Sequence, residues 1–570
     1  MENPPAETSP RNRVGWSRWF HRAVASLLIG IPVLFAISQI FIWTVWEPRW
    51  GESAKNVVTV GQLVIGGLLL LIWWVIYAPV PRRYRFGIGL FIVLALVAWG
   101  VSIREVEVDG HMRLTFHYRW ETPRSEKLKE FRAHSALPSG KDWSQVPVPE
   151  LQPEDIPAYR GIHRDGQVTG PEIRTDWNTH PPVELWRHPV GGGYASVSIV
   201  DEFLVTLEQR EENEAIVCYE TSTGAEIWSY EYPARFFEAM GGPGPRSTPT
   251  IEGDRVVTLG ACGDLHCVDL RSGTPNWHVN VLQQFQLGNT DWGMTSSPLV
   301  DEERVVVNVG GSAGNGLAAY EITTGKLIWQ TDGLSPAVIP STGFKTGNEA
   351  IPAGSVPKAV PGYASPQLSE IAGKRLILNL DGTALNAYEP ETGKRLWSFP
   401  FENGPKVNVA QPIVFEDGRV FLSASYDVGS KMIRVSFQDD NWNVEELWAN
   451  RNLRCKFTSP VLVNGLIYGL DEGILVCLDP ETGKRLWKGG RTGLRGRYDH
   501  GQLITTHSLI LALTENGQAV LVQPDREKLV ELSSMRVLSE GRNWNPLVLC
   551  RGRLFVRNAS EMACYDLPAR

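Results

Sequence analysis

The sequence predicts an all-β eight-bladed β-propeller preceded by three transmembrane α-helices. Three observations carry this. First, a phrase recurs: Ala387-Tyr388-Glu389-Pro390-Glu391-Thr392-Gly393-Lys394-Arg395-Leu396-Trp397 returns as Cys477-Leu478-Asp479-Pro480-Glu481-Thr482-Gly483-Lys484-Arg485-Leu486-Trp487. Looser copies end at Trp228, Trp277 and Trp329. Repetition at this spacing means an array of one supersecondary unit. Second, two apolar runs precede each phrase, as in Thr458–Val463 and Leu466–Leu470 around Asn464-Gly465, so a unit holds four strands. Third, uncharged apolar stretches are confined to the front of the chain, at about 23–46, 57–79 and 86–103.

The front divides by charge. Residues 1–22 read as a cytoplasmic tail and 23–103 as a membrane region. The first two stretches exceed the roughly 20 residues a crossing needs, and the third is near the lower limit. Arg11, Arg13, Arg18 and Arg22 flank the first stretch, and Arg82, Arg83 and Arg85 precede the third. The loop between the first two has Arg49 and Lys55, offset by Glu47 and Glu52. Positive charge stays inside, so the N-terminus is expected in the cytoplasm and the propeller outside it, held in the inner membrane of a bacterium. Residues 104–158 read as a β-hairpin turning at Asp109-Gly110, a short charged helix over Arg124–His134 and a Pro-rich linker; 159–570 form the propeller.

Within each unit the parts have physical roles. Gly224, Gly273, Gly325, Gly393 and Gly483 take the φ > 0 position of a tight turn. The Thr or Ser before each bonds the turn backbone. The closing Trp supplies a flat surface to pack on the neighbouring unit. First strands open near Ala195, Ser247, Ser296, Ala364, Ala410, Thr458, Gly501 and Trp544. Closers run Trp228, Trp277, Trp329, Trp397, Trp448 and Trp487, then a decayed copy near Leu532. The missing closer is Trp186, in Val183-Glu184-Leu185-Trp186, which would complete the last blade from the front and clasp the ring. A ring of seven blades is the competing count.

The net charge of −8 leaves no basic field for nucleic acid. Of the seven cysteines, Cys218, Cys267, Cys477 and Cys564 share one repeat position with Ala319 and Ala387, so they read as small core residues. A Cys262–Cys267 disulfide stays open. No Cys-x-x-Cys pair signals zinc or haem.

The phrase resembles the tryptophan-docking motif of pyrroloquinoline-quinone (PQQ) propeller repeats, over about Val183 to Leu567. Tyr159-Arg160-Gly161-Ile162-His163-Arg164-Asp165-Gly166 is similar to the lead-in of bacterial PQQ-like proteins. The family has an enzymatic branch of quinoprotein dehydrogenases and a BamB-like scaffold branch. The resemblance implies, for an enzyme, PQQ over the channel between a Trp and often a disulfide of adjacent cysteines, with a divalent cation on Glu, Asn and Asp oxygens. This chain has no Cys-Cys dipeptide.

The residues opening the first strands line one end of the channel, a funnel. They are polar and short of carboxylates, where a hard cation wants several oxygens. The ligand or partner residues expected there are Glu208, Arg246, Gln411, Asp499, His500, Gln502, Trp544 and Asn545, with Lys345 and Lys358 on the long loop Thr331–Gly362. Arg246 would face an anion; Asp499 and His500 could form an acid–base pair. No catalytic residue, metal site or cofactor is assigned, with PQQ and calcium or magnesium the option the resemblance leaves. The expected function is a non-enzymatic module binding an envelope protein or polymer. The alternatives are a PQQ-dependent dehydrogenase and a small-molecule sensor.

Overall fold

The structure is a computed structural model describing residues 30–46, 51–78, 80–134, 141–311, 316–334, 358–489 and 498–569. The chain divides into two units, Met1–Glu121 and Thr122–Arg570.

In the first unit, Gly51–Tyr77 and Arg82–Ser102 are helices long and apolar enough to cross a membrane. Three were expected. The first stretch forms a helix over Gly30–Thr44. Fifteen residues rise only about 22 Å, short of a hydrocarbon core of about 30 Å, and 23–29 lie outside the described residues. The helices are joined by side-chain amides: Gln39 Nε2 donates to Gln62 Oε1 at 2.7 Å, and Gln62 Nε2 to Ser38 Oγ at 2.8 Å. Ile103–Val108 and Leu114–Tyr118 form the antiparallel hairpin, with Asp109 at its turn.

In the second unit, eight antiparallel sheets follow one another. Blade 1 is Ser198–Val200, Phe203–Arg210, Asn213–Glu220 and Glu226–Pro233. Blades 2 to 7 open at Thr250, Leu299, Gln367, Ile413, Val461 and Gln502. Blade 8 has three strands from the C-terminal end, Val548–Cys550, Arg553–Arg557 and Glu561–Asp566, and takes Val183–Pro189 as its fourth. The ring is therefore eight-bladed and closed by a strand from its front, with Trp186 opposite Cys564. Closure leaves no open inner sheet edge to aggregate.

The third and fourth strands shift register at one equivalent place in every blade. The closing Trp lies opposite the residue just before that bulge: Cys218–Trp228, Cys267–Trp277, Ala319–Trp329, Ala387–Trp397, Met432–Trp448 and Cys477–Trp487. In blade 7 the pair is Leu521–Ser533, so the decayed closer is Ser533. A bulge increases local twist and turns the ring toward the next blade. Small residues opposite the indole explain the repeated Cys and Ala. All the cysteines are free thiols, so the Cys262–Cys267 bridge is not formed.

The indoles reach into the following blade. Nε1 of Trp186, Trp228, Trp277, Trp329, Trp448 and Trp487 donates to the carbonyl of Thr221, Leu270, Ile322, Pro390, Pro480 and Asp525, at 2.8 to 3.1 Å. The ring also covers the turn glycine: a Cβ on Gly325 would lie 2.6 Å from Trp277. Trp397 is the exception, its buried Nε1 having no partner among the described residues. The next blade lacks the Thr-Gly turn there, Asp439 and Asp440 turning a longer hairpin instead.

The Arg124–His134 helix lies over the seam where blade 8 meets blade 1. The Phe131 ring stacks on His188 at 4.8 Å, and Arg132 reaches Glu226 and Glu231.

The Arg160–Gly166 lead-in closes one end of the channel. Ile156 pairs with Ile199 of blade 1, and Gln167–Val168 runs parallel to the inner strand of blade 7. Between them Arg164 donates to the carbonyls of Ser297, Pro298 and Pro366, and Arg160 to those of Pro460 and Leu503. These acceptors belong to opposite sides of the ring, so both guanidiniums sit within the channel. Proline explains why carbonyls wait there. Pro249, Pro298, Pro366, Pro412, Pro460 and Pro546 stand at or beside the inner strands, where an N–H would face an empty axis. Burial holds the Arg164 guanidinium down, at about 9.

Candidate functional site

The other end of the channel is where the inner strands open, remote from the Thr-Gly turns. Its polar residues were expected to face a ligand. The structure uses them to join the blades. Ser196 N–H donates to Thr248 Oγ1 at 3.2 Å, Thr248 N–H to Ser297 Oγ at 2.9 Å, and Ser297 N–H to Ser365 Oγ at 2.9 Å. Ser365 N–H donates to Gln411 Oε1 at 2.8 Å and Gln411 N–H to Ser459 Oγ at 3.0 Å. Thr458 Oγ1 donates to the Gly501 carbonyl, Gln502 Nε2 to Trp544 O at 2.9 Å, and Asn545 Nδ2 to Ala195 O at 2.8 Å. Every blade is thus bonded to the next, and the circle closes. Gln411, Gln502 and Asn545 are buried joints of the ring, because a buried strand N–H or C=O must find a partner and these side chains have the reach.

Glu208 is also drawn away from the funnel. It is fully buried, accepting from Gly191 N at 3.0 Å, Arg210 Nε at 3.0 Å and the Tyr219 hydroxyl at 2.7 Å. Burial pushes its carboxyl up, but Arg210 and Arg557 outweigh that and hold it below the usual range. Arg557 completes this ion network between blades 8 and 1, donating to Leu207 O and Gly191 O.

Asp499 and His500 are buried neighbours on the loop opening blade 7. The His500 ring lies 5.2 Å from Phe457, and the His500 backbone N–H donates to Glu515 Oε2 at 3.1 Å. Glu515 Oε1 accepts from Trp544 Nε1 at 2.8 Å, and an oxygen of Asp499 comes within 4.8 Å of one of Glu515. Lys358 pairs with Asp291. Lys345 and most of its loop lie outside the described residues.

Arg246 does reach the funnel mouth, beneath a ribbon formed by Phe237–Glu238 and Gly242–Pro243. Its Nη1 donates to Gly244 O at 2.9 Å and its Nη2 to Gly241 O and Gly242 O at 3.0 and 3.2 Å. The Phe236 and Tyr194 rings lie 5.0 and 5.5 Å from it. Burial pushes its guanidinium down, to about 10. Arg542, absent from the sequence reading, joins it from the loop opening blade 8: its Nη1 donates to the Tyr194 hydroxyl at 3.3 Å and to Met240 O at 3.2 Å. The available signal was position, since Arg542 precedes Trp544 much as Arg246 precedes Ser247. Tyr194, Trp544 and Phe457 follow in an aromatic row, their centroids 5.2 and 5.0 Å apart.

A PQQ-bound divalent cation would need six or more oxygens. Among the described residues the carboxylates at the mouth are Asp499 and Glu515, with Glu238 on the ribbon, and both oxygens of Glu515 and one of Glu238 already accept N–H bonds. This set does not fit such a cation.

The family model described as outer membrane protein assembly factor BamB matches residues 174–332 and 240–489. Among solved structures, BamB from Moraxella catarrhalis is 17% identical, covering 68% of this chain and 98% of its own, with a TM-score of 0.45. The quinohemoprotein alcohol dehydrogenase from Comamonas testosteroni is 14% identical, covering 77% and 85%, with a TM-score of 0.49. A europium-containing methanol dehydrogenase is 11% identical, covering 75% and 99%, with a TM-score of 0.42. No curated protein sequence matches the chain.

Proposed function

Because the chain belongs to the BamB-like family of PQQ-repeat β-propellers, we propose that it is a membrane-anchored, extracytoplasmic binding module for an envelope protein or polymer. One observation carries this reading. The strand-opening polar residues are engaged in joining blades, and what remains at the funnel mouth is a recognition surface: two arginines, an aromatic row and a ribbon exposing Phe237 and Met240. Specific binding surfaces are enriched in Arg, aromatic residues and Met. The lead-in occupies the opposite end, so on this reading a partner engages the ring at the mouth.

Anchoring rests on the two long apolar helices, and orientation on the arginines that flank the apolar stretches. On this reading lipid contacts the helices, and the propeller stands on the periplasmic side of a bacterial inner membrane.

The test places photo-crosslinking residues at Phe237 on the mouth and at Glu391 on the turn face, in cells. Adducts from Phe237 and none from Glu391 are expected. The purified protein is also mixed with PQQ and calcium or magnesium, and dye reduction is followed with sugars and alcohols. A bound-quinone spectrum with turnover would replace the module by a dehydrogenase. A reporter fused after Arg570 and active in the cytoplasm would overturn the orientation.

A further inference from the structure

We propose that Arg246 and Arg542 form a subsite for a carboxylate carried on an apolar body. This deepens the binding-module reading by naming the chemistry recognised at the same mouth.

The argument starts from which guanidinium atoms are engaged. Arg542 is only 7% exposed and uses Nη1 alone. Its Nε is buried without a hydrogen-bond partner among the described residues. Nε and Nη2 share one edge of the guanidinium, the edge that receives both oxygens of a carboxylate side-on. Arg246 is engaged the other way, through both terminal nitrogens, and keeps Nε.

Charge supports the same conclusion. Among the described residues neither arginine has a carboxylate as a hydrogen-bond partner. Both bond to carbonyls or a hydroxyl, which orient a cation without neutralising it. The nearest acid on the ribbon is Glu238, whose Oε2 accepts from Met240 N and Gly241 N at 3.0 and 2.6 Å. Glu515, on the far side of Trp544, holds the indole. Buried cations are ordinarily paired; Glu238 and Glu214 act on Arg246 without bonding it, and no described carboxylate bonds Arg542, which leaves room for an incoming anion.

The site is also fixed in shape. The Gly241-Gly242 backbone runs against both guanidiniums: a Cβ on Gly241 would lie 2.6 Å from Arg246 Nη2, and one on Gly242 2.9 Å from Arg542 Nη1. Gly242 has φ +75°, which also favours glycine. Trp544 stands 5.5 Å from the Arg542 guanidinium. Aromatic walls keep water off a charge-assisted bond and strengthen it. On the same ribbon Phe237 and Met240 are 54% and 45% exposed, which supplies the contact for an apolar body.

The test is calorimetric titration of the full chain in detergent with acetate, 3-phenylpropionate, inorganic phosphate and a blocked peptide with one aspartate beside one phenylalanine. Saturable binding is expected, with 3-phenylpropionate at least about tenfold tighter than acetate and phosphate weaker than either organic acid. A peptide tighter than 3-phenylpropionate identifies a protein chain as the source of the carboxylate; a weaker one identifies a small organic acid. Arg542→Lys keeps the charge but loses the two-donor edge, and should weaken binding at least about tenfold. Met240→Ser should leave acetate unchanged and remove the preference for the phenyl body, a readout that survives if Arg542→Lys does not fold. No saturable binding to the wild type, or equal affinity in a folded Arg542→Lys, overturns the subsite. Crosslinks from Phe237 that persist alongside that negative result would leave the binding module standing. Carboxylate binding together with quinone turnover would do the reverse.

Discussion

Replacing Arg164 by Met should loosen the inner strands of blades 2 to 4 while leaving blade 8 unchanged. The side chain donates to the carbonyls of Ser297, Pro298 and Pro366 on blades 3 and 4 and, at 3.4 Å, to Thr250 Oγ1 on blade 2, and Met fills much of its volume without a donor. A hydrogen bond to a charged group contributes about 1.5–3 kcal/mol, so the three to carbonyls give about 5–9 kcal/mol. Against that stands the release of a fully buried guanidinium, several kcal/mol in the other direction. The net loss is about 2–4 kcal/mol. Since about 1.4 kcal/mol is a factor of ten, amide exchange in Thr250–Glu252, Leu299–Asp301 and Gln367–Ile371 should accelerate by about 30-fold to several hundredfold. Exchange is measured by mass spectrometry on the full chain in detergent, with Glu561–Asp566 as the internal reference. Rates within twofold of wild type in all three strands would refute the idea that the lead-in arginine holds the channel, as would equal acceleration in blade 8.

Three further outcomes follow from the geometry. Gly325→Ala places a Cβ 2.6 Å from Trp277 at φ +69°, whereas Gly465→Ala at φ +73° meets nothing within 4 Å. Both variants pay backbone strain of about 1 kcal/mol, so denaturation should show Gly325→Ala the less stable by a further 1 kcal/mol or more. Trp329→Phe should cost about 1 kcal/mol more than Trp397→Phe, because only Trp329 loses an indole hydrogen bond, to Pro390 O; equal costs would show that the bond contributes nothing. Burial pushes the Glu214 carboxyl up to about 7 and the nearby His266 down to about 4. Glu214 therefore contributes stability that is present below its unfolded value of about 4.5 and lost as pH rises through about 7. His266 acts oppositely: its neutral form is favoured in the fold, so stability grows as pH rises from about 4 to about 6.5. The two nearly cancel between pH 4.5 and 6.5. Glu214→Gln should expose the histidine term as stability rising with pH across that window, and a flat profile in the variant would contradict the shifts.

The ring was legible because its parts are physically constrained to recur. A turn at φ > 0 covered by a neighbouring indole needs Gly and Trp in fixed register, so Gly224 to Gly483 and Trp186 to Trp487 could be counted without coordinates. The Cys or Ala opposite every closing Trp except Trp448, which faces Met432, is the same constraint seen from the third strand. The membrane region was read from apolar length, which fixes Gly51–Tyr77 and Arg82–Ser102 well and the Gly30–Thr44 segment less well. The lead-in was visible as a motif but not as a plug, since no local rule says that Arg160 and Arg164 fold inward to five carbonyls contributed by four distant blades.

The strand-opening residues show why the candidate site was harder to read. Thr248, Ser297, Ser365, Gln411, Ser459, Gln502 and Asn545 differ in type, and a sequence reading takes variety within a repeat for specialisation. Their shared requirement is only that a side-chain oxygen or amide reach the adjoining inner strand, and hydroxyls, Gln and Asn all satisfy it at 2.8 to 3.2 Å. Variation there reflects a loose joint. The informative departures are side chains whose own hydrogen-bonding capacity the ring leaves incompletely used. Arg246 uses its terminal nitrogens on a glycine-rich ribbon, and Arg542 buries an Nε that no blade contact needs. A buried cation with an open edge lowers stability unless something else completes it. Arg542 ties the opening of blade 8 to Tyr194 and Met240 through Nη1 alone, and on the proposed reading a carboxylate arriving at the mouth completes its other edge.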